Sequence, residues 1–217
     1  STYTATATMN SSVASGTITY SINYSDLSGN AGTQVTSTTN SSAVTFDKTS
    51  PTLSAVTISS NNATSSLAKV GDVVTLSITA SESIQTPTVS IGGIAAAVSN
   101  TSGNTWTATA TMSSSVASGT ITFTVNYSDL SGNAGTQVTS TTNSSTVTFD
   151  KTAPTFSQVN LSWGNVLNIN EAANSGTISL TTTGVEDGQV AIIRLNSVNY
   201  TTTVNNNAAS VTAISVI

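Results

Sequence analysis

Nine residues recur unchanged in this chain, at Tyr24-Ser-Asp-Leu-Ser-Gly-Asn-Ala-Gly32 and again at Tyr127-Ser-Asp-Leu-Ser-Gly-Asn-Ala-Gly135. The stretch that follows also returns: Val44-Thr-Phe-Asp-Lys-Thr-Ser-Pro51-Thr52 reappears as Val147-Thr-Phe-Asp-Lys-Thr-Ala-Pro154-Thr155. The offset is constant, 150 − 47 = 103 for the aspartates and 106 − 3 = 103 for Trp106 and Tyr3, so no gap separates the copies. A gapless period of this length restricts the chain to tandem copies of one small domain. By register, residues 1–47 are the second half of one module, 48–150 a whole module, and 151–217 the first part of a further, divergent one. Both ends read as cuts from something longer.

Only 6% of the 217 residues are charged and 37% are hydrophobic, so a polar-rich chain of this kind folds only if its apolar residues are placed to share a core. They are patterned instead. Trp106, Ala108, Ala110 and Met112 alternate with Thr105, Thr107, Thr109 and Thr111, the two-residue period of a half-buried strand with β-favouring Thr outside. Val74, Leu76, Ile78 and Ala80 do the same over residues 73–80. Further strands are expected at 53–59, at 87–91 and 94–98 across the hairpin signal Gly92-Gly93, at 120–127 and in the 137–149 region. In the first module the same reading gives strands at 2–9, 16–24 and 44–46. No stretch holds a helical period. Seven short strands in about a hundred residues predict an all-β chain of tandem immunoglobulin-like Greek-key β-sandwiches. Pro51 and Pro154 stiffen the short joints between them.

Several function classes drop out. The chain has no Cys and no His, which removes disulfides, thiol nucleophiles and imidazole bases, and Ser side chains have no base beside them in sequence. Four scattered cations, Lys48, Lys69, Lys151 and Arg194, against a net charge of −5 and a pI near 4.1 argue against nucleic acid. No apolar run reaches the roughly 20 residues of a membrane helix. A cytosolic chain can also lack Cys, but a Thr-, Ser- and Asn-rich β-repeat favours export. Trp106 and Trp163 are expected in cores and not on a carbohydrate platform.

The Ser-Asp-Leu-Ser-Gly-Asn-Ala-Gly motif, the Phe149-Asp-Lys-Thr-Ala-Pro-Thr155 joint and the run from Gly71-Asp72 through Ala80-Ser-Glu82 together resemble the bacterial Ig-like repeats of giant non-fimbrial surface adhesins. Residues 151–217 depart from the second module, and their Val166-Leu-Asn-Ile-Asn-Glu171-Ala-Ala and Thr182-Thr-Gly-Val-Glu-Asp-Gly188 resemble a sister class of Ig-like repeats in type I-secreted biofilm adhesins. The resemblance spans nearly the whole chain. It implies an extracellular, cell-surface stalk whose repeats are joined through calcium.

Acid placement gives the candidate site. In an Ig-like sandwich the loop after the second long strand and the loop before the last strand lie at the pole where the chain arrives. Asp47, leaving the first module, is therefore expected to meet Glu82 and Asp129 there, and Asp150 to meet Glu186 and Asp187 at the next joint. Three carboxylates with no cation closer in sequence than Lys48 repel one another unless an ion or a proton intervenes. Calcium takes six to eight oxygens, and Asn133 with backbone carbonyls and water would complete such a shell. Turn chemistry is the alternative, in which Asp26 and Asp129 simply bond backbone amides in a Gly-Asn loop.

These readings predict a spacer advancing about 35 to 45 Å per repeat, judged from strands of about eight residues plus loops. Its partners are neighbouring repeats of the same chain. A filament or surface-layer subunit, completed by strands from identical chains, is the other reading. Residues 151–217 hold the early strands, ending over 210–216, and residues 1–47 the late ones.

Overall fold

In a computed structural model of the chain, residues 2–164, 166, 170, 174–195 and 197–214 are described. Most of the motif from Leu167 to Ala173, and the last expected strand beyond Ile214, lie outside them. The chain separates into two compact units, Ser1–Asp150 and Lys151–Ile217.

Within the first unit, residues 48–150 form the strands that alternation predicts. These are β3 (Leu53–Ser60), β4 (Leu67–Ala68), β5 (Val73–Ala80), β6 (Thr88–Ile91), β7 (Ile94–Ala95), β8 (Ala97–Ser102), β9 (Thr105–Thr111), β10 (Gly119–Thr120), β11 (Phe123–Asn126) and β12 (Thr148–Phe149). They follow the short pair β1 (Gly16–Thr17) and β2 (Thr45–Phe46). One layer runs β3-β5-β9-β8, the other β11-β6-β7, extended past β11 by a bridge between Val125 and Val138. The chain changes layer after β5, after β7 and after β9, a Greek-key immunoglobulin-like sandwich. Gly92 and Gly93 both take left-handed φ (58° and 79°) between β6 and β7, as a two-residue hairpin turn requires.

Between the layers, Val56, Val74, Leu76, Ile78, Ile91, Val125, Val147 and Phe149 are wholly buried. At about 1.5–3 kcal/mol for each large apolar side chain, this core is what holds the module together. Trp106 is buried in it, as its parity predicts.

The first module differs from expectation. Residues 2–9, read as a strand, form none, and of the expected 16–24 strand only β1 and a bridge between Ile22 and Val35 remain. The cause is missing partners. At the same register, β9 lies between β5 and β8, and residues 1–47 contain no counterpart of either. A strand face without a neighbour keeps its backbone groups in water and buries little. Identical or similar residues therefore sit in opposite environments: Tyr3 is 91% exposed and Trp106 9%, Ile22 52% and Val125 0%.

The second unit contains β13 (Thr155–Leu161), β14 (Gly176–Thr183), β15 (Val190–Leu195), β16 (Val198–Thr203) and β17 (Ala208–Ile214). Its β13-β14-β17 sheet repeats the β3-β5-β9 order. The register also holds despite the divergent sequence, since 176 − 73 = 103 for the starts of β14 and β5 and 208 − 105 = 103 for β17 and β9. A small core of Leu180, Val204 and Ala209 takes Val185, Ala191 and Ile193 against it. Trp163 is half-buried and packs flat on Gly176, where a Cβ would fall inside the indole.

Candidate metal centre

The nine-residue motif folds identically in both copies, for a local reason. In the first copy Asp26 Oδ1 accepts from the backbone N–H groups of Ser28 (2.9 Å) and Asn30 (2.8 Å), and Oδ2 accepts from Asn30 Nδ2 (2.8 Å). In the second, Asp129 Oδ1 accepts from Asn133 N (2.8 Å) and Oδ2 from Asn133 Nδ2 (2.7 Å). An Asp four residues before an Asn thus closes its own turn. Tyr24 and Tyr127 pack against Gly32 and Gly135, which explains why the motif ends on Gly: a Cβ at either position would overlap the tyrosine ring.

The two aspartates then part company. Asp26 is exposed and remains a turn residue. Asp129 is buried, and its carboxylate lies with those of Asp47 and Glu82 so that one oxygen from each falls within 4.8 Å of the others. Two features set this geometry. Ile84 bridges to Asp129, and Gln85 donates from N to Ser128 O (2.9 Å) and from Nε2 to Asp129 O (3.0 Å), which draws the Glu82 loop onto the motif. Asn133 Nδ2 donates to Asp47 O (3.2 Å) and clasps the end of the first module to the second. The Gln85 clasp was invisible in the repeat because residues 1–47 contain no counterpart of that loop, and Asn133, expected to offer oxygen, works here through its amide nitrogen.

Lys48 gives no neutralising charge. Its Nζ donates to the carbonyls of Ser11 and Val13 (2.9 Å each), which commits it to the first module. Asp47 Oδ1 accepts from Thr49 N (2.9 Å). Burial pushes the Asp129 carboxyl up, but the Asn133 side chain and the N–H groups of Asn133, Gly132 and Ser131 outweigh it and hold Asp129 below the usual carboxylate range. It is therefore ionised at neutral pH, which a cation needs. Turn and metal roles are compatible, because a carboxylate has about four lone-pair sites. The oxygen spacing also fits: ligands at 2.3–2.6 Å from one ion lie at most about 5 Å apart. All-oxygen donors without imidazole or thiolate suit a hard cation of the calcium class.

Asp150 closes the first unit, its N–H donating to Ala68 O (2.9 Å). Glu186 and Asp187 are exposed in the second unit, where Asp187 Oδ1 accepts from Asn206 N (2.6 Å).

No family model matches the chain, and no curated protein matches it in sequence. Solved structures do. One is a Ca2+-stabilized adhesin that helps an Antarctic bacterium reach out and bind ice, 23% identical over 91% of this chain, with a TM-score of 0.44. The chain spans about half (48%) of that protein's length. Another is the IG1+IG2 segment of DIP-gamma, 12% identical over 77% of this chain and 84% of its own, with a TM-score of 0.30.

Acid should loosen these turns. Asp26, held low chiefly by the Asn30 side chain, Asp72, held low chiefly by Asn62 Nδ2, and Asp129 all have folded-state values below those of a free carboxyl. Each contributes stability that is fully present above the unfolded value of about 3.9 and is lost as pH falls through the lowered folded value. Carboxyl NMR titration in chelator should give midpoints for Asp26 and Asp129 below about 3.9, with the middle module's melting temperature falling over the same window. Midpoints at or above that value would remove the turn bonds from the account.

Proposed function

We propose that this chain is a stalk segment of a long secreted cell-surface protein, built of Ig-like repeats running 1–47, 48–150 and 151–217, with joints stiffened by calcium. It works as a spacer, not an enzyme, and its partners are neighbouring repeats. The observation that carries the reading is the convergence of Asp47 from one side of a joint with Glu82 and Asp129 from the other, while the adjacent Lys48 points back into the first module. A dense core holds the middle sandwich by itself; the joint has no such core, and bare carboxylates a few ångströms apart repel. A divalent ion converts that repulsion into a bridge. Asp150 with Glu186 and Asp187 is proposed to repeat the arrangement at the second joint, and Asn133 to hold Asp47 in place for the ion. Among the described residues no helix is long and apolar enough to cross a membrane.

The test is calcium titration of the full chain by calorimetry and small-angle X-ray scattering. Binding in the range of about 0.1–1 mM is expected, typical of extracellular modules, together with a longer maximum dimension than in chelator and an unchanged far-ultraviolet β signal. Glu82→Gln and Asp47→Ala should each remove the binding event at the first joint and leave the β signal intact. If calcium alters neither the heat nor the scattering profile, the three acids are turn and joint residues only. The second reading is a filament or surface-layer subunit in which strands from identical chains complete one another.

A further inference from the structure

The chain enters the middle module just before β3 and leaves it just after β12. These two segments run side by side. Val56 N donates to Thr142 Oγ1 (3.1 Å), Thr142 N to Val56 O (2.8 Å) and Ile58 N to Ser145 Oγ (3.0 Å), while Thr142 Oγ1 also donates to Val56 O (3.2 Å). Further on, Thr148 N donates to Ser66 O (2.8 Å) and Asp150 N to Ala68 O (2.9 Å). Residue numbers rise together on both sides of this seam, and β12 accordingly pairs parallel with β4, whereas the module's other strand pairs are antiparallel.

The first segment is longer between the two patches, 67 − 58 = 9 against 148 − 145 = 3, and its extra residues step aside in a loop closed by Ser60 N on Ser65 O (2.9 Å). The seam therefore resumes in the same direction beyond the loop. It also joins the two sides of the module: β3 is held to β5 and β12 to β10, with Val56, Ile58, Val147 and Phe149 buried behind it.

Hydrogen bonds of a sheet run between strands and not along them. Neighbours pulled apart from the same end open one bond at a time. Parallel neighbours pulled from opposite ends slide lengthwise instead, so the bonds across them share the load and fail together. Tension along this chain arrives at β3 and departs from β12, which is the second case.

We propose that the middle module bears tension as a shear clamp, formed by β3 and β4 against residues 142–150 and reinforced by the Thr142 and Ser145 hydroxyls. Its use in the protein rests on the stalk reading above. The clamp itself is a property of the module and requires no ion.

Constant-force spectroscopy of the full chain in chelator, held by its two ends, reads the clamp as the lifetime before an extension step of about 300 Å, the length that residues 52–150 release on unfolding. Forced unfolding follows the unfolding rate. Thr142→Val combined with Ser145→Ala removes the hydroxyl bonds and should shorten that lifetime about tenfold or more. Ile91→Val trims a wholly buried side chain of β6, which pairs with β11 and β7 and not with the seam, at a comparable cost in equilibrium stability. It should change the lifetime by less than about twofold. A second arm moves the handles. Because the chain has no Cys, Thr52→Cys and Ser140→Cys supply unique attachment points, both exposed and both at the same end of the seam; pulled there, the module should open bond by bond at a much lower force. This arm decides alone if the hydroxyl variant fails to fold. Equal lifetimes for the hydroxyl and Ile91 variants, or equal opening forces from the two attachments, overturn the proposal. The stalk reading fails on a different result, the absence of any response to calcium, which leaves these lifetimes untouched.

Discussion

Phe149→Ala should destabilise the middle module by about 3–5 kcal/mol, enough to unfold much of its population at moderate temperature. Phe149 is wholly buried at the centre of the sandwich, where β12 pairs with both β10 and β4. Its counterpart Phe46 has the same neighbours in sequence and the same antiparallel partner, Gly16 for Gly119. It lacks the opposite layer, so truncating it opens no enclosed cavity, and Phe46→Ala should cost under about 1 kcal/mol. Denaturant unfolding followed through Trp106 fluorescence measures both. Equal losses would mean that the first module has a core of its own under the conditions used.

Gly135→Ala is the second large effect, about 1–3 kcal/mol by overpacking. The Tyr127 ring occupies the space a Cβ needs, and it is pinned there: the ring is buried, and burial, only partly offset by a hydrogen bond from the Leu53 backbone, raises its hydroxyl pKa. Gly32→Ala creates the same overlap with Tyr24, but Tyr24 is more than half exposed and can swing away. The first substitution should lower the melting temperature of the middle module and the second leave it nearly unchanged. A shift of equal size in both would show that backbone conformation, not ring contact, selects glycine.

The candidate metal centre was legible from sequence only through topology. Asp47, Glu82 and Asp129 are far apart in the chain, and their meeting follows from which loops of a Greek-key sandwich share a pole. The repeat marked Asp129 and Asp47 by duplicating them, but it equally marked Asp26, which the structure leaves in a solitary turn. What separates Asp129 from Asp26 is not in the motif. It is the Glu82 loop, drawn in by Ile84 and Gln85, and the preceding module's Asp47, clasped by Asn133. Nor does the sequence show that Lys48, next to Asp47, turns its charge away.

By itself the sequence determined the strand alternation, the hairpin at Gly92-Gly93, the turn chemistry of the Asp-x-x-x-Asn loop and a register that persists into β14 and β17 after the residue identities have diverged. These depend on neighbours a few positions away or on a period, and both can be read along one line. Only the tertiary structure decided which copy of a face is core. Residues 2–9 and 105–112 share one pattern, yet the first forms no strand and the second is the middle of a sheet, because a β-strand's hydrogen bonds and half of its buried surface belong to other strands. A helix closes its bonds within itself; a strand's state is fixed by whatever lies beside it.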